Sequence, residues 1–189
     1  MLPYEFIIRG YMFGSMWKAY KKGEPFCGQT ITGDYQLAQK LEKPLLTPST
    51  KATEGHDEYS VTHEGMVQDL GADLTRQLEE ACLAVYEKCY NYAYDRGIII
   101  ADTKLEFGLD EAGDLVLADE VSPGLQPLLE QGGVPGGHLP LKLRQAVPAG
   151  LAHRQQAGRR HPRPDLPAEV VEKTREKYLE CLQLLVPQK

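Results

Sequence analysis

The chain has 189 residues, 42% of them hydrophobic and 25% charged, with a formal net charge of −6. That length suits one compact domain with a small extra lobe, and the acidic balance argues against nonspecific nucleic-acid binding over the whole surface, though not against a local phosphate site. No apolar run approaches the roughly 20 residues of a membrane helix, and Met1 to Arg9 lacks the basic leader and long apolar core of a secretory signal.

Pro3 to Gly10 reads as a strand with Phe6, Ile7 and Ile8 at its centre. It runs into a glycine-punctuated turn, Arg9 to Ser15, and then a short helix over Met16 to Lys21. Gly23 to Thr53 reads mostly as loop, because Pro25, Gly28, Gly33, Pro44 and Pro48 interrupt it. Ser60 or Thr62 is placed to cap a short helix over His63 to Leu70. A long helix follows over Ala72 to Arg96. Its apolar stripe is Leu74, Leu78, Ala81, Cys82, Val85, Cys89, Tyr92 and Ala93, and it ends on Arg96 and Gly97. Ile98 to Phe107 reads as a buried strand, Asp110 to Gly113 as a turn, and Leu115 to Ala118 as the returning strand. Leu166 to Leu185 is a final amphipathic helix with Val170, Thr174, Tyr178, Cys181, Leu182 and Leu185 on one stripe.

Pro123 to Pro164 differs in kind. It holds no Phe, Tyr, Trp or Asp, its one acidic residue is Glu130, and Arg144, Arg154, Arg159, Arg160 and Arg163 make it basic. Composition reads it as a linker or disordered arm. The four cysteines, Cys27, Cys82, Cys89 and Cys181, match neither a CxxC metal site nor a disulfide framework. They read as packing residues in a reduced, cytoplasmic setting.

Three constellations carry chemistry. In the first, Asp102, Lys104 and Glu106 alternate along one strand, so their side chains share a face, and Asp119 and Glu120 close the partner strand. Magnesium takes hard oxygen ligands and often uses one or two carboxylates plus phosphates, which this set can supply. A solvated hairpin face laced with salt bridges fits the same spacing. The second is Arg9 to Ser15, which offers a guanidinium, flexible amides around Gly14 and the Ser15 hydroxyl, the groups an anion needs. An ordinary tight turn would look alike. The third is Thr47 to Ala52 followed by Gly55 to Glu58, a polar stretch that fits a lid or a plain surface loop. His56 beside Asp57 does not make a catalytic pair, since adjacent residues rarely orient each other.

Taken in order, five segments resemble the SAICAR synthetase family: IIRGYMFGSMWKAY (Ile7 to Tyr20), PLLTPSTKATEGHDE (Pro44 to Glu58), IIADTKLEFG (Ile99 to Gly108), LADEV (Leu117 to Val121) and PDLPAEVVEKTREKY (Pro164 to Tyr178). The resemblance implies a ligase that joins L-aspartate to the carboxylate of carboxyaminoimidazole ribonucleotide and splits ATP to ADP and phosphate in purine biosynthesis. It implies transfer of the γ-phosphate to that carboxylate and attack of the aspartate amine on the acyl phosphate. By resemblance, Glu106 and Asp119 hold Mg2+ at the ATP phosphates and Lys104 faces the substrate and the transferring phosphate. Arg9, Gly14, Ser15 and Asp102 contact the ribonucleotide, and Lys51, His56 and Asp57 belong to the matching loop. The partners implied are small molecules, with no nucleic acid and no membrane; the residues specify no oligomeric state.

The family begins with a β-rich lobe that covers the ATP, whereas this chain opens close to the hinge, so a chain lacking most of that lobe is expected. After Asp119 the family continues Asp-Ser-Ser-Arg-Phe-Trp, where this chain has Gly124 to Glu130. Gly124 to Glu130 can be encoded by codons that, shifted by one base, read Asp-Ser-Ser-Arg-Phe-Trp. In the same way codons for Leu143 to Val147 can yield Phe-Asp-Lys-Gln-Phe, and those for Pro148 to Ala152 can yield Pro-Arg-Asp-Trp-Leu. The expectation is that roughly Ser122 to Arg163 is translated out of frame, leaving an impaired enzyme.

The organisation expected is therefore a substrate- and Mg-ATP-binding domain over 1–121, an aberrant disordered segment over 122–163, and a C-terminal helix of the same domain over 164–189. The fold class expected is α+β, an antiparallel sheet flanked by helices, with the kinase-like ATP-binding architecture of the family. A kinase-like phosphotransferase is the alternative, because carboxylates on a hairpin also serve kinases. A binding module using the basic arm is a third reading.

Overall fold

The computed structural model describes residues 1–51, 61–118 and 167–186, with the backbone alone of residues 128–130. Strand β1 (Tyr4–Tyr11) is its axis. Along one edge of β1 run β2 (Lys40–Leu46) and β3 (Ser49–Thr50), both antiparallel. The pairs Arg9–Leu45, Ile8–Leu46, Glu5–Ser49 and Tyr4–Thr50 keep one register. The amide of Thr47 closes the gap between the two strands on the Ile7 carbonyl at 2.7 Å. Strand β5 (Asp102–Leu105) lines the other edge, pairing Arg9 with Asp102 and Ile7 with Lys104. β1 is thus central, and its residues alternate between two faces.

The even face is apolar. Phe6 and Ile8 have no exposed surface and Tyr4 is buried, packed with Met66, Leu78, Cys82, Tyr86 and Tyr90. Those partners come from α2 (His63–Leu70) and α3 (Ala72–Tyr94). Of the two candidate caps for α2, Thr62 is the one seen: its hydroxyl accepts from the Gly65 amide at 3.1 Å. α3 stops at Tyr94, two residues short of the expected end. The Arg96 guanidinium turns back to the Tyr92 carbonyl at 2.8 Å, and Gly97 takes φ +82.

α3 buries Thr75, Leu78, Cys82, Tyr86, Tyr90 and Ala93, so its inner face is rotated from the predicted stripe. Tyr92 is 44% exposed, while Tyr86 and Tyr90 are buried. Tyrosine fits a core where its hydroxyl finds a partner. Tyr86 donates to the Ile100 carbonyl at 2.8 Å, and Tyr90 shares a 3.0 Å bond with Tyr11. The expected loop at 23–53 also gives way, since it contains β2 and β3. Pro44 is tolerated because β2 is an outer strand of this sheet and its missing N–H opens no ladder bond between neighbours.

The single strand expected over 98–107 is three. β4 (Ile98–Ile100) pairs with residues 128–130, β5 pairs with β1, and β6 (Phe107–Leu109) pairs with β7 (Leu115–Leu117), so that Leu128–Glu130 is β8. The interruptions fall at Ala101 and Glu106, where the chain changes partner. The Asp110 side chain caps the β6–β7 turn by accepting from the amides of Ala112 and Asp114, both at 2.9 Å.

Helix α1 (Gly14–Lys22) ends on Gly23 at φ +70. The last described helix, α4 (Ala168–Leu185), buries no residue fully. Of its predicted stripe, Cys181 and Leu185 pack near Ala93 and Ile98, whereas Tyr178 and Leu182 are 51% and 55% exposed. Among the described residues no disulfide joins any of the four cysteines. No described helix is long and apolar enough to cross a membrane. The α+β class and the antiparallel sheet flanked by helices are as expected.

Candidate functional site

The odd face of β1 carries the chemistry. Glu5, Ile7 and Arg9 lie on it, opposite Asp102 and Lys104 of β5 and Leu45 and Ser49 of the β2–β3 edge. Residues directly paired on neighbouring strands share a face, so the register alone gathers these groups.

Arg9 is the hub. Its Nε donates to Thr47 Oγ1 at 3.0 Å, Nη1 to Asp102 Oδ2 at 3.1 Å and Nη2 to Ser15 Oγ at 3.2 Å. The Thr47 hydroxyl in turn donates to the Ile7 carbonyl at 3.1 Å. Burial lowers the Arg9 pKa, with the charges of Asp102 and Cys27 opposing that shift; a guanidinium remains cationic nonetheless. Its carbon stands 5.3 Å above the Phe26 ring, a second favourable contact for a desolvated cation. Gly14 holds φ +63 at the start of α1, and a Cβ built there would sit 3.5 Å from Arg9 Nη1. Glycine suits the left-handed backbone there, and the distance to the guanidinium is ordinary van der Waals contact. A guanidinium fixed by three side chains, with N–H bonds to spare, is preorganised for a phosphate or carboxylate.

Two further ion pairs stand on the same face. Lys104 Nζ lies 2.5 Å from Glu5 Oε1, a diagonal pair across β1 and β5. Lys51 Nζ lies 2.5 Å from Glu106 Oε2, joining the end of β3 to the residue just past β5. Glu5 Oε2 and Ser49 Oγ, on cross-strand partners, are buried without hydrogen-bond partners among the described residues.

The structure brings Arg9, Gly14, Ser15 and Asp102 into one cluster, and sets Lys51, Lys104 and Glu106 beside it on the same sheet. His56, Asp57 and Asp119 lie outside the described residues, as does Glu120. Glu5, Thr47 and Ser49 were not singled out individually from the sequence. Thr47 and Ser49 fall in the polar stretch noted there, and Glu5 continues the alternation Glu5, Ile7, Arg9. His63 pairs with Glu79 at 2.6 Å, away from this band.

As a cation site, Glu106 offers hard oxygen atoms on a side chain 23% exposed. No group of three or more His, Cys, Asp or Glu among the described residues is arranged to hold a metal. The donor set fits magnesium held by few carboxylates and completed by phosphate and water, and does not fit an all-protein cage.

The model of the SAICAR synthetase family matches residues 1–133 of the chain. A phosphoribosylaminoimidazole-succinocarboxamide synthase from Methylibium petroleiphilum is 41% identical over 97% of this chain and 63% of its own length. The solved SAICAR-synthase from Saccharomyces cerevisiae complexed with SAICAR is 32% identical, with a TM-score of 0.82 over 99% of this chain and 61% of that one. A type-2 SAICAR synthetase in complex with ADP is 25% identical, with a TM-score of 0.62 over all of this chain and 66% of that one. The chain therefore spans less than two thirds of the length of these relatives. Sequence motifs, fold and family match agree over the same β1–β5 core, and the chain belongs to the SAICAR synthetase family.

Proposed function

We propose that this chain supplies the substrate- and Mg-ATP-binding face of a ligase that joins L-aspartate to the carboxylate of carboxyaminoimidazole ribonucleotide, giving SAICAR, ADP and phosphate. The observation that carries this reading is the Arg9 hub beside the Lys104 and Glu106 pairs on one sheet face. It sets an anion-binding fork next to a second, mixed-charge field. Acyl-phosphate chemistry needs both: one to hold the ribonucleotide and one to neutralise the moving phosphoryl group.

In this reading Arg9, Ser15 and Gly14 hold an anionic group of the ribonucleotide, and Asp102 orients both Arg9 and substrate. Lys104 faces the transferring phosphate. Glu106, with Asp119, would hold Mg2+, which supplies charge neutralisation at the phosphates. Lys51, His56 and Asp57 close the substrate side. The relatives named above are SAICAR synthases, one of them bound to SAICAR and another to ADP, which favours ligation over a bare phosphotransferase.

Within the same proposal, 122–163 is translated in a shifted frame and replaces the family's Asp-Ser-Ser-Arg-Phe-Trp segment. The chain is then impaired relative to a full-length member. Sequencing the coding DNA tests this: codons that do not give those motifs in the shifted frame overturn it. A single-turnover assay with ATP and the ribonucleotide, with and without aspartate, tests the function. Amide product that depends on aspartate supports ligation, and ADP formed without amide overturns it. Restoring the shifted frame is expected to raise the amide yield.

A further inference from the structure

Among the described residues the charges of this face balance, with Arg9, Lys104 and Lys51 set against Asp102, Glu5 and Glu106. Each of these three carboxylates is already answered by a cation of the chain. Glu106 is the clearest case, because its Oε2 lies 2.5 Å from Lys51 Nζ. A metal ion on that oxygen must displace the ammonium, since two cations held at one carboxylate oxygen repel strongly in a half-buried setting.

The displaced Lys51 has to share a carboxylate that another cation already faces, Glu5 with Lys104 or Asp102 with Arg9. A divalent ion alone would thus add two positive charges to these six balanced groups. A divalent ion arriving on a triphosphate brings its own negative charge and offers the freed lysine an anion. Lys51 can make that exchange because it stands where the β1–β3 ladder ends. Its amide makes only a long 3.3 Å bond to the Pro3 carbonyl, and its side chain is 31% exposed.

We infer that Lys51 is the resident counter-ion of Glu106: it suppresses binding of a divalent metal by itself and passes to the phosphate chain when metal and nucleotide bind together. The inference rests on Glu106 being a metal ligand, as proposed above.

The test is titration of the full chain with Mn2+, read by electron paramagnetic resonance, alone and with a non-hydrolysable ATP analogue. Lys51→Met is expected to bind Mn2+ alone about fivefold more tightly than the unmodified chain, the worth of one half-exposed ion pair. The same variant should bind the metal–nucleotide complex more weakly. Lys51→Arg keeps a cation at Glu106 and should leave metal-only binding weak. Glu106→Gln should lose metal binding in both arms. Metal-only binding that is unchanged or weaker in Lys51→Met, or equally tightened in Lys51→Arg, overturns the inference while leaving the metal site standing. Metal binding that survives Glu106→Gln overturns the metal assignment and the inference with it. The metal-only arm is decisive whether or not the chain completes ligation.

Discussion

Toward α3, β1 presents Tyr4, Phe6 and Ile8; toward the opposite side it presents Glu5, Ile7 and Arg9. The two sets alternate along the same eight residues and do different work. Phe6 meets Phe107 edge to face, with ring centres 5.7 Å apart, and has no exposed surface. Its burial is a direct gain that needs no partner of particular chemistry. Arg9 is nearly as buried, yet it is tolerated only because Thr47, Asp102 and Ser15 each take one of its nitrogens. Desolvating a pair of charges roughly offsets their attraction, so the odd face contributes geometry more than stability. The apolar face makes the sheet rigid, and the charged face uses that rigidity to hold its groups in register.

The contrast can be tested from either side. Phe6→Ala should cost about 4 kcal/mol in urea unfolding, through lost burial and the cavity left behind. If the folded fraction binds anions normally, stability and site are separable as argued. Arg9→Met should cost about 3 kcal/mol, because it removes the guanidinium paired with the Asp102 carboxylate, only 17% exposed. Arg9→Met with Asp102→Leu should recover much of that loss and still fail to bind the ribonucleotide by calorimetry. A double variant no more stable than Arg9→Met alone would contradict the pairing argument.

The two faces meet at Gly10, where a Cβ would fall 1.9 Å from the Tyr86 hydroxyl oxygen. That hydroxyl is anchored on the Ile100 carbonyl, so it cannot move freely. Gly10→Ala should therefore cost about 2 kcal/mol by overpacking. It should also weaken ribonucleotide binding, since Arg9 is the neighbouring residue.

The smallest effect is alkaline. Burial, then the charges of Tyr90 and Asp102, raises the Tyr86 pKa above its ordinary 10.0. Tyr11 is raised too, by burial and then by its bond to Tyr90. Both groups are held neutral in the fold but ionise readily in the unfolded chain. The stability they contribute is fully present below about pH 10 and is lost as pH rises toward their folded-state values. Urea midpoints should fall above that pH. Tyr86→Phe should lose about 1 kcal/mol near neutrality, with one hydrogen bond gone, and show a shallower alkaline decline.

Much of this was legible in the sequence, for local reasons. The alternation of Asp102, Lys104 and Glu106 is a period-2 pattern that any extended strand turns to one face. Thr62 and Gly97 mark helix ends through their own cap and backbone angle. Arg9, Gly14 and Ser15 lie within seven residues, and a turn brings them together unaided.

Other features depended on contacts between distant segments. Glu5 looks like an ordinary strand residue until β5 sets Lys104 diagonally across from it, and Ser49 reads as loop until the register pairs it with Glu5. The predicted strand over 98–107 gave no sign that it would exchange β8 for β1 and then β7 within ten residues. The inward turn of Tyr86 and Tyr90 was equally hidden, because their hydroxyls find partners on β4 and β1 rather than within α3.

Propensity, caps and periodicity act over one or two turns of chain, so the residues alone pointed to the helices, the charged strand and the Arg9 to Ser15 turn. Which charges face one another follows from how β1 lies against two strands, one about 40 and the other about 95 residues away. A slip of one residue there would turn Glu5 and Arg9 into the core and Phe6 out of it. Only the assembled sheet, locked by the burial of Phe6 and Ile8, selects the register that makes the site.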